Sequence, residues 1–164
     1  MPIISIIVAA AANDVIGYKG KIPWLIKNDL KHFKELTMNK YVIMGRKTFF
    51  SLDKKLTERK IIVMSKNENL LIPDCYISHS VQQTFEICKN EKEIFIAGGE
   101  KIYTEFIDKT QKIYLTRIHK NFKGDAFMPQ INFNEWKLIE QYDYEKDDNN
   151  IAPYSFLTYT KIVC

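Results

Sequence analysis

At 164 residues, 46% hydrophobic and 27% charged, the chain has the size and balance of one globular domain with a full core. Its 24 basic and 20 acidic residues are dispersed and leave a net charge of +4, too diffuse for the basic stripe of a nucleic-acid binder. Cys75, Cys88 and Cys164 are odd in number, widely spaced and without a C-x-x-C pair, which argues against a disulfide framework or a zinc site and for a reducing cytoplasm.

The opening run Ile3-Ile4-Ser5-Ile6-Ile7-Val8 is continuous and β-branched, the pattern of a central strand covered on both faces. The apolar stretch 3–12 is far short of a membrane span and lacks the basic leader of a signal peptide. Residues 13–22, with Gly17 and Gly20, show little periodicity and read as a long surface loop of the kind that serves as a lid. Pro23 stops regular structure, after which Ile26, Leu30, Phe33 and Thr37 recur at helical spacing and predict a helix beginning close to residue 26. Asp29 falls on that apolar stripe, away from the wet face of Lys27, Lys31 and Lys34. It reads either as a first-turn acid favoured by the helix dipole or as a buried carboxylate of raised pKa, able to hold a proton or grip an amidine-like group.

Tyr41-Val42-Ile43-Met44 predicts a short buried strand, and Gly45-Arg46-Lys47-Thr48 a turn into a short helix through Phe49 and Leu52. Ile61-Ile62-Val63-Met64 is a second such strand, ending at Ser65-Lys66-Asn67; Cys75-Tyr76-Ile77-Ser78 is an edge strand, and 81–88 a helix capped by Ser80. Glu93-Ile94-Phe95-Ile96-Ala97 leads through Gly98-Gly99 into a helix carrying Ile102, Tyr103 and Phe106. Lys112–Ile118 is a strand with no helix after it, and Trp136–Tyr144 and 154–162 form an antiparallel hairpin around the polar tip 145–150. The fold class is therefore α/β: a single-domain mixed, mostly parallel eight-stranded sheet with flanking helices and a C-terminal antiparallel hairpin. Trp136, Tyr142, Tyr144, Tyr154 and Phe156 read as core of that hairpin, and His32, His79 and His119, which lack ligand spacing, as structural or surface residues.

Gly45-Arg46-Lys47-Thr48 and Gly98-Gly99-Glu100-Lys101 each place glycine and free N–H groups at a helix start beyond a strand end, a pattern that suits a dinucleotide diphosphate. Neither matches G-x-G-x-x-G or G-x-x-x-x-G-K-[ST], so a standard Rossmann or kinase-type loop is disfavoured. Arg46 and Lys66 offer the charge that a ribose 2′-phosphate requires and point to a phosphorylated nicotinamide cofactor.

In order and spacing, Val15-Ile16-Gly17, Ile22-Pro23-Trp24, Asp29 with Phe33, Val42 through Thr48, Leu56 with Arg59-Lys60, Ile96-Ala97-Gly98-Gly99 with Tyr103, Tyr114-Leu115-Thr116 and Gly124-Asp125 resemble the dihydrofolate reductase family over almost the whole chain. The resemblance implies reduction of dihydrofolate by hydride transfer from NADPH, with Asp29 holding the pterin and promoting protonation of N5. Thr116 would bond the Asp29 carboxylate and Trp24 would order a water beside it. Ile7, Val8, Ala9, Leu30, Phe33, Leu52, Leu56, Ala97 and Tyr103 would line the substrate pocket, and Arg59 would pair with the substrate's glutamate carboxylate. Ala9, Ile16, Gly17, Gly45, Arg46, Lys47, Thr48, Met64, Ser65, Lys66, Ala97, Gly98, Gly99, Glu100, Lys101, Ile102 and Tyr103 would bind the cofactor. Two residues depart from the family pattern: Ala97 stands where a larger aliphatic residue is usual, and Glu100 where a small residue is common. The resemblance also implies a cytoplasmic monomer acting on a small molecule, with no metal, membrane or nucleic-acid partner. The rival readings are a noncatalytic NADPH- or antifolate-binding protein of this fold, and a reductase of a related pterin or pyrimidine, which would lack the Asp29 and Arg59 pair.

Overall fold

Seven of the nine residues of strand β1 (Ile3–Ala11) are buried, as its unbroken apolar run requires, and it runs through the interior of the sheet between two parallel neighbours. The computed structural model describes residues 1–163, so the reading of Cys164 lies outside the described residues. Parallel strands β3 (Tyr41–Gly45), β4 (Lys60–Met64), β6 (Glu93–Ile96) and β7 (Lys112–Ile118) surround β1, with β5 (Tyr76–Ser78) at one edge. The hairpin of β9 (Trp136–Tyr144) and β10 (Tyr154–Lys161) closes the other, giving the order β5-β4-β3-β6-β1-β7-β10-β9. Helices α1 (Lys27–Thr37), α2 (Arg46–Phe50), α3 (Val81–Ile87) and α4 (Glu100–Phe106) connect the parallel strands. Ser80 caps α3 as its sequence predicts, its hydroxyl accepting the Gln83 N–H at 2.9 Å.

Two apolar layers sandwich the sheet. On one side Ile4, Ile6, Ile43, Ile62, Ile94 and Ile96 pack with Tyr103 and Phe106 of α4; on the other Val42, Met44, Ile61 and Val63 carry Phe33, Phe49, Leu52 and Leu56. Register then aligns the carboxyl ends: Gly45 pairs with Met64, Ile43 with Ile96, and Ala9 with Thr116. Ligands of α/β sheets sit at this end because the helix-leading turns open there.

Three expectations change. The 13–22 loop contains a strand, β2 (Val15–Gly17), paired antiparallel with β8 (Ala126–Phe127), two elements too short for a periodicity signal. The helix after Gly45 stops at Phe50, short of Leu52. The hairpin aromatics divide: Tyr154 and Trp136 are buried, whereas Tyr142 and Tyr144 are 54% and 41% exposed because β9 is an edge strand.

Gly124 lets the segment leading into β8 lie directly against β2. A Cβ there would fall 2.2 Å from Val15 Cγ1 and 2.8 Å from the Gly17 carbonyl oxygen, and backbone cannot rotate aside as a side chain can. Gly124→Ala is expected to cost about 1–3 kcal/mol in a urea titration, as overpacking does; an unchanged midpoint would show the ribbon free to shift.

Candidate active site

Asp29 sits in the first turn of α1 beneath the carboxyl end of β7, where Thr116 Oγ1 donates to its Oδ1 at 2.6 Å. The side chain opens partly to the cleft, but its carboxyl is enclosed by protein, and this desolvation raises its pKa from 3.8 to about 6, the Thr116 bond working in the opposite direction. Burial thus shifts this acid in the direction that the buried-carboxylate reading expects. Of the predicted stripe, Ile26 and Thr37 are buried and Phe33 partly so, while Leu30 is 57% exposed and takes no part in the core.

A cavity of about 1030 Å³ opens beside the sheet end, lined by Gly45, Arg46, Lys47, Thr48, Met64, Ser65, Lys66, Gly99, Glu100, Lys101 and Ile102. These are eleven of the seventeen residues expected to bind cofactor. Ala97 and Gly98 lie just beneath, the Gly98 carbonyl accepting the Gly45 N–H at 2.9 Å and the Ile43 carbonyl the Ala97 N–H at 2.8 Å. Tyr103 is buried and donates its hydroxyl to the Ile7 carbonyl at 2.7 Å, while Ala9, Ile16 and Gly17 belong to β1 and β2. Gly98 has φ +105, and a Cβ on it would press within 3.0 Å of the Tyr103 ring; one on Gly99 would come to 3.3 Å from Thr48 Oγ1. Only bare backbone fits this turn, and bare N–H groups are what a diphosphate binds. Arg46, Lys47, Lys66 and Lys101 add four cationic side chains to this lining. The chemistry of this lining fits a phosphorylated dinucleotide.

Glu100, assigned to the cofactor, has its carboxylate engaged elsewhere: Oε1 accepts the Phe127 N–H at 2.6 Å and ties the start of α4 to β8. His79 lines the cavity, contrary to its reading as a residue without a site, and its Nδ1 lies 2.8 Å from the Ser65 carbonyl. Asp125 and Ala126 also line the cavity and were missed, since only the β2–β8 pairing brings them there. Trp24 is buried with Val15, Ile118 and Tyr154, its ring 5.2 Å from Phe122.

A second cavity, about 600 Å³, is lined by Phe49, Leu52, Leu56, Arg59 and Ile61. Nε and Nη1 of Arg59 are buried and without hydrogen-bond partners among the described residues. Desolvation lowers the Arg59 pKa while the Glu58 carboxylate works the other way; a guanidinium stays charged, so these two nitrogens are charged donors short of an acceptor. Phe33, Leu52, Leu56 and Ala97 belong to one apolar cluster next to it, while Ile7 and Val8 are buried in β1. No group of three or more metal-ligating side chains occurs among the described residues.

The sheet-end cavity, its glycine turns and the enclosed acid define a nucleotide-dependent α/β enzyme. More particularly, the chain belongs to the dihydrofolate reductase family, whose family model matches residues 3–161. It is 40% identical to dihydrofolate reductase of Staphylococcus haemolyticus over 159 residues, 97% of this chain and 96% of that protein. It is 37% identical to that of Bacillus subtilis over 158 residues, 96% and 94% of the two chains. Among solved structures, dihydrofolate reductase from Enterococcus faecalis complexed with NADP(H) and RAB-propyl superposes with a TM-score of 0.92 at 30% identity, covering 98% of this chain and 97% of that one.

Proposed function

We infer that this chain reduces 7,8-dihydrofolate to 5,6,7,8-tetrahydrofolate with NADPH. The observation that carries the reading is Asp29, an acid with a pKa near 6 held by one hydroxyl in an apolar setting, within a family of reductases of that substrate. NADPH supplies the hydride when bound. Everything else is the work of this chain's side chains. Asp29 accepts the donor edge of the pterin and raises its proton affinity at N5, which makes C6 a better hydride acceptor. Thr116 fixes the orientation of that carboxyl, and Trp24 would help order a water beside it. Phe33, Leu52 and Leu56 exclude water from the ring system, and Arg59 receives the glutamate carboxylate in two parallel charge-assisted bonds. Lys66, Arg46 and His79, which line the larger cavity, would hold the 2′-phosphate, and the turn of Gly98 and Gly99 the diphosphate.

Within this reading the chain acts as a single-domain monomer in the cytoplasm, without a nucleic-acid partner. Among the described residues no helix is long and apolar enough to cross a membrane. The test is loss of nicotinamide absorbance when NADPH and dihydrofolate are mixed with the protein. Substrate-dependent oxidation is expected; NADPH binding without oxidation would instead favour the noncatalytic reading.

A further inference from the structure

The polar tract 145–150, which the sequence presents as a solvated hairpin tip, is not one at its end. Asn150 is 1% exposed, in a connection whose preceding residues are all exposed. Its surroundings explain the burial. Helix α1 begins without a cap of its own: Ile26 occupies the N-cap position in extended conformation and has no side-chain oxygen. Four N–H groups at a helix start need outside acceptors. The Asp29 N–H turns back to the Ile26 carbonyl at 3.0 Å, and the same oxygen takes the first regular helical bond, from Leu30 N–H at 3.4 Å; of the helical residues this leaves Lys27 and Asn28. Both are met from the far end of the chain, Lys27 N–H by the Asn149 carbonyl at 3.4 Å and Asn28 N–H by Asn150 Oδ1 at 3.3 Å. Ile26 and Asn150 also form an antiparallel bridge.

The cap is itself braced. Asp147 Oδ1 accepts the Asn149 N–H and the Asn150 Nδ2–H, each at 2.8 Å, and the Asp147 and Asn150 backbones exchange two further bonds. A second tie runs from the Asn28 side chain, whose Nδ2 donates to the Tyr154 hydroxyl at 2.5 Å on β10. The next residue along the helix is Asp29.

We propose that Asn150 is a positioning residue for the reaction: it caps α1 across the fold and keeps the first turn closed over the Asp29 carboxyl. Without the cap, Lys27 and Asn28 N–H groups turn to water, the first turn frays, and solvent reaches a carboxyl whose proton affinity depends on its exclusion. The titratable groups that reach Asp29 are Tyr103 of α4 and Tyr154 of β10, both pushed up by burial and neutral throughout its range. On α1 itself, His32 stacks on Phe156 with ring centroids 3.9 Å apart, and burial lowers its pKa. The inference rests on the assigned role of Asp29, so its test does not depend on turnover.

The experiment is a carbon-13 NMR titration of the Asp29 carboxyl in the full chain without ligands, for the parent, Asn150→Ala and Asn150→Asp. Asn150→Ala is expected to lower the midpoint by about one pH unit, equal to a tenfold fall in proton affinity. Asn150→Asp keeps an acceptor for Asn28 N–H but loses the Nδ2–H that Asp147 accepts and sets two carboxylates together, so its midpoint is expected between those of Asn150→Ala and the parent. If Asn150→Ala does not fold, Asp147→Ala, which removes only the brace from an exposed position, is read in its place and shifts the midpoint the same way by less. Superimposable titrations, or equal shifts in the alanine and aspartate variants, would overturn the proposal. Hydride-transfer rates then separate it from the family reading: a lowered midpoint with rates falling only above it supports positioning, and a uniform loss at every pH refutes it. A parent with no NADPH oxidation would refute the assigned activity and leave the cap result standing.

Discussion

Asp29→Asn is expected to lower hydride transfer by roughly 10²- to 10³-fold at pH 7, the range of a lost general acid, and to stabilise the protein at the same time. The activity loss follows because asparagine keeps the acceptor for Thr116 but has no titratable proton. In the parent, the rate should be level below the Asp29 midpoint near 6 and fall about tenfold per pH unit above it, whereas the variant, which relies on solvent to protonate the substrate, should keep rising as pH falls below that midpoint. Below pH 5 solvent protonates the substrate directly, and the two enzymes should converge. For stability, the folded protein binds the Asp29 proton more tightly than the unfolded chain does, with a pKa of about 6 against 3.8. The parent therefore loses stability as pH rises from 3.8 through about 6 and is level above that, by roughly 3 kcal/mol in all. Asparagine escapes this cost, so its unfolding midpoint in urea should exceed the parent's at pH 8 and approach it near pH 3. Equal rates at pH 7 would remove Asp29 from the mechanism, and equal midpoints at pH 8 would remove desolvation as the cause of its pKa.

Arg59→Met is the second large effect. Two of its guanidinium nitrogens are buried without partners, which is expensive for the free protein and favourable once a carboxylate arrives. The variant should bind dihydrofolate about 10²-fold more weakly, from the loss of about 2–4 kcal/mol of charge-assisted hydrogen bonding. NADPH affinity should be unchanged, because Arg59 lines the smaller cavity and not the larger. Removing an unpaired cation should also raise the melting temperature of the ligand-free protein. A pteridine substrate lacking the glutamate tail provides the control: its KM should be the same for parent and variant. A matching loss with that substrate would place Arg59 outside the tail-binding role.

The assignment of Arg59 illustrates how much could be read before the fold. Nothing in the residues around it marks an anion site; the resemblance placed it, and the orphaned nitrogens then supplied an independent physical reason. His79 is the opposite case. No spacing rule distinguishes it from His32 or His119, and only the parallel pairing of β4 with β5 sets it beside Ser65 in the larger cavity. Glu100 stood next to the diphosphate turn in sequence, but a strand of two residues drew its carboxylate away.

Taken alone, the sequence determined the elements whose signals are local. β1, β3, β4 and β6 are short, largely apolar runs that read as strands, and β7 is a mixed one; Ser80 caps its helix within three residues; and the two glycine turns follow directly from strand ends. The helical spacing that puts Asp29 on an apolar stripe is equally local. Tertiary structure alone decided what those elements do to one another. The Asp29 pKa depends on how completely other strands and helices exclude water, the form of the 13–22 loop depends on β8, and an acceptor at the start of α1 comes from Asn150, 122 residues from the N–H it accepts. Desolvation and long-range hydrogen bonding are properties of surroundings, and a chain's surroundings are assembled only when it folds.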